Sequence, residues 1–357
     1  MGDTLRRVCI HAVLPITAVC AFGFFAPAYG SSSDDGTANE SGIVASSQAI
    51  LGATTKRAVD TVEGAANQTS PSSRASGLAS ETDGFLGASA GDGDSAINAW
   101  VSAGWNNLND TNAATRSDGN IFTGMVGADY AISDDLLTGF ALSAEGLNID
   151  SSYNGGNTTS RGIGVMPYVV YRIDNVFSVT GIAGYTRVDG DTKRTAGAVG
   201  TNVSGSFSGN RFMFAAVGSA NYLLGEFAIN ASAGLSWAEQ RLGGFTESDG
   251  TVNAKQSSHS GNFSASVEPS YILDMSGDGS MFVEPYAILG FDYEFAREQV
   301  EVGIGQEPHQ NDQSAFTVGA GVNLYMGDAL SIAVEGSHQM KKKQSNSSLS
   351  LTGRFAF

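Results

Sequence analysis

Few residues of this chain are of the types that perform nucleophilic, redox or metal chemistry. The sequence has two cysteines and four histidines, and no histidine begins the His-Glu-x-x-His motif of zinc hydrolases. By the strand count below, His309 falls in a loop, His259 at a strand start and His338 at a strand end, where solvated histidines are the simplest prediction. We therefore expect no catalytic residue, no metal site and no cofactor.

Two kinds of charged motif could bind ions. Asp-Gly pairs occur at 92–94, 189–191 and 278–279, but none belongs to a twelve-residue calcium loop with a terminal glutamate. We predict turns at these pairs, because Asp and Gly supply left-handed turn geometry. The run Lys341-Lys342-Lys343 falls in a predicted loop and could contact lipopolysaccharide phosphates, although a solvated loop is the simpler prediction.

The overall charge excludes one class of partner. Thirty-six Asp and Glu against nineteen Lys and Arg give a net charge of −17. Nucleic acid and other polyanions are therefore not expected as ligands.

A signal peptide is predicted over residues 1–30. Arg6 and Arg7 precede an apolar stretch, and small residues stand before a cleavage site after Gly30. Both cysteines fall within this segment, so we expect no disulfide in the exported protein.

Residues 31–95 are rich in Ser, Ala, Gly, Thr and Asp. Apolar and small residues recur at helical spacing between Val44 and Val62, which predicts an amphipathic helix over 41–67. The stretch 70–93 has the composition of a flexible linker.

From Ala96 onward, apolar and polar residues alternate, which predicts β-strands with one apolar face. Most of these segments exceed the usual strand of about 5–6 residues and match the roughly 9–11 that a tilted strand needs to cross a bilayer. The twelve predicted segments are 96–105, 121–132, 136–149, 160–172, 176–188, 205–224, 226–239, 258–273, 281–295, 313–325, 329–339 and 346–357.

The predicted connections alternate between long loops and tight turns, which is typical of outer-membrane barrels. Aromatic residues near strand ends, among them Trp105, Tyr130 and Tyr325, fit interfacial girdles. The predicted fold is therefore all-β, a twelve-stranded antiparallel transmembrane β-barrel over 96–357 with a short N-terminal helical or disordered segment. A soluble β-sandwich is the alternative. The long loops are predicted at 106–120, 150–159, 189–204, 240–257, 296–312 and 340–345.

Several motifs resemble one family. Residues 96–105 (AINAWVSAGW) are similar to the first strand of the autotransporter β-barrel of Gram-negative bacteria. Residues 124–139 resemble its second hairpin, and 282–286 (FVEPY) resemble a later strand. The terminal GRFAF is similar to the signature that the barrel assembly machinery recognises, with Phe355 and Phe357 as its aromatic residues.

The resemblance implies a translocator that reaches the outer membrane after Sec-type export and passes an N-terminal passenger to the cell surface. In the family a helix leads through the lumen, and residues 41–67 are the candidate. Since only residues 31–95 would precede the barrel, the anchored or translocated segment is very short. Some members cut their passenger at a lumenal Asn, for which Asn67 is the suggestive residue here. The expected partners are outer-membrane lipid and lipopolysaccharide, the barrel assembly machinery and periplasmic chaperones, for a monomer.

Alternation also predicts which charges face the lumen. Such charges are expected there whatever the function, because Arg or Lys facing lipid near the midplane costs about 2–4 kcal/mol. They could also give a pore a preference for cations, or pair with Lys56 and Arg57 of the helix. A small porin-like channel and a surface adhesin therefore stay open as alternatives to translocation. The ten predicted residues are Asp129, Glu145, Arg172, Arg211, Glu268, Glu284, Asp292, Glu294, Glu335 and Arg354.

Overall fold

The alternating segments hydrogen-bond into a closed antiparallel sheet in the computed structural model. The structure describes residues 38–67, 97–111, 116–152, 155–196, 201–297, 313–327 and 329–357. The predicted signal peptide and the predicted linker at 70–93 lie entirely outside these residues.

Twelve long strands form the barrel wall, and each pairs with its neighbours in sequence. β12 pairs with β1, from Asn98 opposite Ala356 to Asp110 opposite Gln344, and β8 pairs with β9, so the sheet closes. This confirms the predicted twelve-stranded antiparallel barrel. The strands are β1 (Ile97–Asp110), β2 (Ser117–Ser133), β3 (Leu136–Ser151), β4 (Gly156–Arg172), β5 (Phe177–Ala196), β6 (Thr201–Leu224), β7 (Phe227–Leu242), β8 (Gln256–Tyr271), β9 (Met281–Arg297), β10 (Ser314–Met326), β11 (Leu330–Lys341) and β12 (Gln344–Ala356).

The two ends of the barrel differ. At the turn end, where β1 begins and β12 ends, the connections are 134–135, 173–176, 225–226, 272–280 and 327–329. The opposite end, the loop end, carries 243–255, which includes a two-stranded ribbon of Phe245–Thr246 and Val252–Asn253. β9 ends and β10 begins at the loop end, at Arg297 and Ser314.

Several strands extend further toward the loop end than predicted. The predicted loop 189–204 is mostly strand, because β5 has 20 residues and β6 has 24. The predicted loop 340–345 is reduced to the turn at 342–343. Hydrophobic alternation stops where both faces of a strand are polar, but the ladder of backbone hydrogen bonds continues past that point. The prediction of uniformly long loops at this end was therefore wrong.

The outer face of the wall is apolar and exposed. Val126 is 53% exposed, Leu142 47% and Ile163 72%, although each lies within a long strand. Tyr130 and Tyr171 are exposed near the turn end, as predicted for an interfacial girdle. Tyr325 is different, because it is buried and its hydroxyl donates to Glu284. Its assignment to the girdle was wrong, because its position in β10 has the inward parity of Asn323.

One helix precedes the barrel strands. The helix α1 (Ala38–Asn67) has 30 residues, which is about 45 Å at 1.5 Å per residue. It begins three residues before the predicted segment and tolerates Gly52 and Gly64 within it. Among the described residues, no helix is both long enough and apolar enough to cross a membrane.

Candidate functional site: the barrel lumen and its helix

The helix lies inside the closed wall, because it contacts strands around the barrel. These are β1, β6, β7, β8 and β12. One side of α1 is apolar and shares a buried side-chain cluster with inward residues of β1 to β7. Leu51 and Val62 are fully buried there against inward residues that include Leu137 and Met166. These side chains anchor α1 to the inner face of the wall.

The C-terminal end of α1 is held by a hydrogen-bonded network that we call the clamp (Asn98, Trp100, Asp129, Tyr168 and Arg354). Arg354 donates to Asp129 through two nitrogens, at 2.9 and 3.1 Å, and to the backbone oxygen of Ala65 in α1. Asn98 Nδ2 donates to Asp129 at 2.8 Å, and the Tyr168 hydroxyl donates to it at 3.1 Å. The indole N–H of Trp100 donates to Tyr168 Oη at 2.8 Å. The clamp joins β1, β2, β4 and β12 to the helix.

A second attachment lies at the middle of α1. Arg57 donates to Ser102 Oγ and to the backbone oxygen of Ala103, both at 3.3 Å. The side chain fits there because residue 104 is glycine: a Cβ at Gly104 would lie 2.5 Å from Arg57 Nε. Glycine at this position lets the guanidinium lie against the backbone of β1.

The other side of α1 is charged and faces β6 to β12. Lys56 Nζ lies 3.4 Å from Asp60 and 3.5 Å from Asp292 of β9. Glu63 accepts a hydrogen bond from Ser219 Oγ of β6 at 2.6 Å.

Other inward charges are satisfied within the wall. Arg211 donates to Glu145 at 2.9 Å, and through Nε and Nη2 to Gln240 at 3.1 and 2.8 Å. Glu284 is fully buried and accepts from Ser270 at 2.7 Å and Tyr325 at 2.9 Å. The wall is therefore crosslinked by side chains as well as by the backbone ladder.

Glu294 binds two cations near the loop end, Lys341 at 2.8 Å and Arg297 at 3.3 Å. Lys341 therefore belongs to β11 and to an inward ion pair, whereas only Lys342 and Lys343 form the loop-end turn. The prediction that all three lysines lie in a loop was wrong for Lys341.

The structure brings some of the ten predicted residues together and leaves others apart. Asp129 pairs with Arg354, and Glu145 pairs with Arg211. Glu335 accepts from Tyr286 Oη at 3.1 Å, and Glu268 makes no hydrogen bond to any residue that the structure describes. Arg172 lies at the turn end, where its backbone N–H donates to Asp135 at 2.8 Å.

Sequence reasoning missed the neutral members of the clamp. Asn98, Trp100 and Tyr168 share the parity of the inward charges in their strands, and each is buried. The signal was available in the sequence, since a Trp on the polar face of a strand needs a hydrogen-bond partner for its indole N–H.

The remaining candidates carry no reactive arrangement among the described residues. The ring of His259 stacks on Trp237 with centroids 5.3 Å apart, and His338 Nδ1 is 2.9 Å from Ser347 Oγ. His309 and the pair at 92–94 lie outside the described residues. No group of three or more His, Cys, Asp or Glu is placed to hold a metal ion in the part of the chain that is described.

The other two Asp-Gly pairs have structural explanations. Residues 189–191 continue β5, where Gly190 lies opposite Phe207, so the turn predicted there was wrong. Asp278 lies in the turn-end connection 272–280, where hydrogen bonds from Ser276 and Ser280 lower its pKa to about 2.

Comparison with known proteins assigns the barrel to a family. The model of the autotransporter beta-domain matches residues 97–337, which is more than half of the chain. The chain belongs to the autotransporter β-domain family. Members of this family are β-barrels of the Gram-negative outer membrane, which accounts for the exposed apolar outer face.

Solved structures of autotransporter barrels share the fold. The translocator domain of NalP from Neisseria meningitidis superposes with a TM-score of 0.69 at 13% identity, over 89% of this chain and 99% of that one. The beta domain of BrkA from Bordetella gives 0.62 at 16% identity, over 73% and 100%. The transport unit of AIDA-I from Escherichia coli gives 0.53 at 13% identity, over 81% and 100%. No curated protein matches the chain in sequence.

Proposed function

We propose that this autotransporter barrel carries the short segment before α1 to the cell surface and then retains it through the helix in the lumen. The observation that carries the proposal is the direction of α1. Ile50 packs with Ile121 and Ile149 close to the loop end, whereas Ala65 meets Arg354 close to the turn end. The N-terminal part of α1 therefore points toward the loop end, and its C-terminal end lies near the turn end.

The loop end corresponds to the cell surface, because outer-membrane barrels have short turns in the periplasm and longer loops outside. The C-terminal end of α1 and the start of β1 lie at the same, periplasmic end. A connection between them does not have to return through the lumen. This arrangement is the product expected when an N-terminal segment has passed outward and the helix has stopped inside.

Cysteine labelling on intact cells tests the direction of the chain. We expect a cysteine that replaces Ser33, in a Cys9→Ala/Cys20→Ala background, to react with a maleimide too polar to cross the outer membrane. Lys342→Cys at the loop end serves as the surface control, and Asp134→Cys at the turn end as the periplasmic control. Labelling of position 33 only after the outer membrane is permeabilised would refute export of the segment.

We further propose that export follows the Sec route, with removal of residues 1–30, and that the barrel assembly machinery and periplasmic chaperones insert the protein as a monomer. Phe355 lies in the last strand, β12, and Phe357 follows it. Their side chains are 44% and 64% exposed. Such outward aromatic side chains are accessible to an assembly factor.

Phe357→Ser should lower the amount of folded barrel in the outer membrane, as measured by heat-modifiable mobility on gels. Phe316→Ser, on the outer face of β10, controls for the loss of a lipid contact. Equal losses for the two variants would contradict a signal role.

We also infer that the protein is not an enzyme, because the inward carboxylates of Asp129, Glu284 and Asp292 are engaged in hydrogen bonds or ion pairs of the wall.

A further inference from the structure

The basic side chains on the outer face of the described strands lie in one sector of the wall. Those of β9, β11 and β12, which are Arg297, Lys341 and Arg354, belong to inward ion pairs. The outward ones are exposed and lie near the loop end: Arg161 of β4, Arg187 and Lys193 of β5, and Arg241 of β7. They outnumber the outward acids of the same strands, which are Asp189, Asp191 and Glu239.

Two arginines of this sector lie just beyond a row of aromatic side chains. Tyr185 and Phe212 pack with their ring centroids 5.2 Å apart, and Trp237 shares their outward parity. Arg187 follows Tyr185 by two residues, about 7 Å along β5, and Arg241 follows Trp237 by four. Because aromatic rings of this kind mark the boundary between hydrocarbon and headgroups, the two guanidinium groups lie at the level of lipid headgroups.

The two guanidinium groups are close together and open to the outside. Asn210 of β6 is the register partner of both Arg187 and Arg241, so the two Cα atoms are two strand spacings apart, about 10 Å. Arg187 donates to Asn210 and to Asp189, both at 3.3 Å. Arg241 donates through Nε to Glu239 at 2.6 Å. The arginine side chains are still 48% and 65% exposed, so a ligand in the outer leaflet can reach them.

The outer face has a shallow trough next to the arginines, on the side of the turn end. Gly218 lies opposite Ala233 and Ala220 lies opposite Ala231, so no large side chain covers the backbone of β6 and β7 there. Phe214, which is 51% exposed, precedes this stretch on β6. The outward residues of β2 to β4 are larger. The trough consists of Ala216, Gly218, Ala220, Ala231 and Ala233.

We propose that this sector binds lipid A, the phosphorylated glucosamine lipid of lipopolysaccharide, with its phosphates on Arg187 and Arg241 and an acyl chain in the trough. Arginine binds phosphate through paired N–H donors. Two guanidinium groups about 10 Å apart suit a disaccharide with a phosphate on each sugar better than a glycerophospholipid with one phosphate. The site rests on the orientation in the proposed function, because lipopolysaccharide occupies the outer leaflet, next to the loop end.

Native mass spectrometry of the barrel in detergent measures the binding of individual lipid molecules. The protein is refolded from inclusion bodies, so that it starts without outer-membrane lipid. The probes are lipid A with both phosphates, the same lipid with its phosphates removed, and phosphatidylglycerol. We expect lipid A to bind about tenfold more tightly than the other two, because charge-assisted hydrogen bonds to two phosphates are made only with lipid A. Equal binding of either of the other lipids would overturn the proposal.

Paired charge variants test the two arginines. Arg187→Gln/Arg241→Gln should raise the Kd for lipid A about tenfold. Lys342→Gln/Lys343→Gln removes the same charge from the loop-end turn and should bind lipid A like the parent. Equal losses in the two double variants would overturn the assignment, since lipid A would then respond only to overall charge. Heat-modifiable mobility verifies that each variant is folded.

A pair of glycine variants tests the trough. A Cβ at Gly218 would lie 3.8 Å from the Ala233 carbonyl oxygen, and one at Gly336 of β11 3.8 Å from that of Ser348, so both outward positions accept a larger side chain. Gly218→Leu should raise the Kd for lipid A about fourfold, the equivalent of one methylene group losing its contact. Gly336→Leu should leave it unchanged. Unchanged binding in Gly218→Leu would overturn the placement of the acyl chain.

These outcomes are separable from the labelling test, because binding in detergent does not require export. If position 33 stays in the periplasm while Lys342→Cys is labelled on intact cells, export fails, and selective binding of lipid A still supports the site. If position 33 is labelled from outside and lipid A shows no preference, the site fails and export stands.

Discussion

Replacing Arg354 by glutamine should destabilise the barrel more than any change of an exposed arginine. Arg354 is 6% exposed and Asp129 2% exposed, so the pair is held away from water. The variant removes two hydrogen bonds to Asp129 and the bond to the Ala65 carbonyl of α1. It leaves a carboxylate buried without its cation.

The size of the effect follows from the partners that remain. Removing one member of a buried ion pair typically costs about 3–5 kcal/mol. Asn98 and Tyr168 still donate to Asp129 in the variant, so we expect the lower end, about 3 kcal/mol. Asp129→Asn should cost a similar amount, because it leaves the guanidinium buried. The double variant should cost about 2 kcal/mol less than the sum of the single variants.

Urea unfolding of barrels in detergent or lipid vesicles measures these free energies. Tryptophan fluorescence reports the transition, since Trp100 belongs to the clamp, and linear extrapolation gives the free energy in water. Arg187→Gln is the matched control: its ion pair with Asp189 is exposed on the outer face and should contribute less than about 1 kcal/mol. If the free energies lost in the two single variants simply add up in the double variant, Arg354 and Asp129 do not stabilise each other, and the proposed role of this pair in the clamp is refuted.

Two further predictions concern a close contact and a loop. A Cβ at Gly127 would overlap the Trp100 ring, so Gly127→Ala should lower the free energy of unfolding by about 1–3 kcal/mol through overpacking. Gly124→Ala is the control and should leave the stability unchanged, because a Cβ at Gly124 has no atom within 4 Å. Urea unfolding measures both variants. Glu247 accepts hydrogen bonds from Arg194 Nε at 3.1 Å to both carboxylate oxygens, so Glu247→Gln should expose the connection 243–255 to protease on intact cells. Asp249→Asn, which removes an outer and longer contact of 3.5 Å, should leave the cleavage rate unchanged.

The sequence determined the faces of the wall better than the ends of the strands. A period of two assigns every residue of a strand to one face, so the inward parity of Asp129 and Arg354 follows from their neighbours. Strand ends depend on backbone pairing that continues after the hydrophobic pattern stops. The pairs Lys193 opposite Ser204 and Thr195 opposite Asn202 lie beyond the predicted ends of β5 and β6, and they show that the ladder continues through polar residues.

The partners of the inward charges could not be predicted in the same way. Asp129 and Arg354 are 225 positions apart and meet only because β12 closes on β1 in one register. The asymmetry of the lumen was predictable in principle. Inward positions of early strands carry Met125 and Met213, whereas those of later strands carry Ser264 and Ser266, and the two sides of α1 match that division.

The seam between β1 and β12 has a consequence for the rate of folding. Apart from this seam and the helix contacts, the long strands pair with neighbours in sequence, so the wall can grow by successive hairpins with short loops to close. Closure of the seam between β1 and β12 comes after this growth. The contact between Arg354 and Ala65 spans 289 positions and must form in that late closing step. Substitutions in the clamp should therefore leave hairpin growth unchanged and act mainly on the unfolding rate. The kinetic lifetime of the barrel would then be set at its last strand.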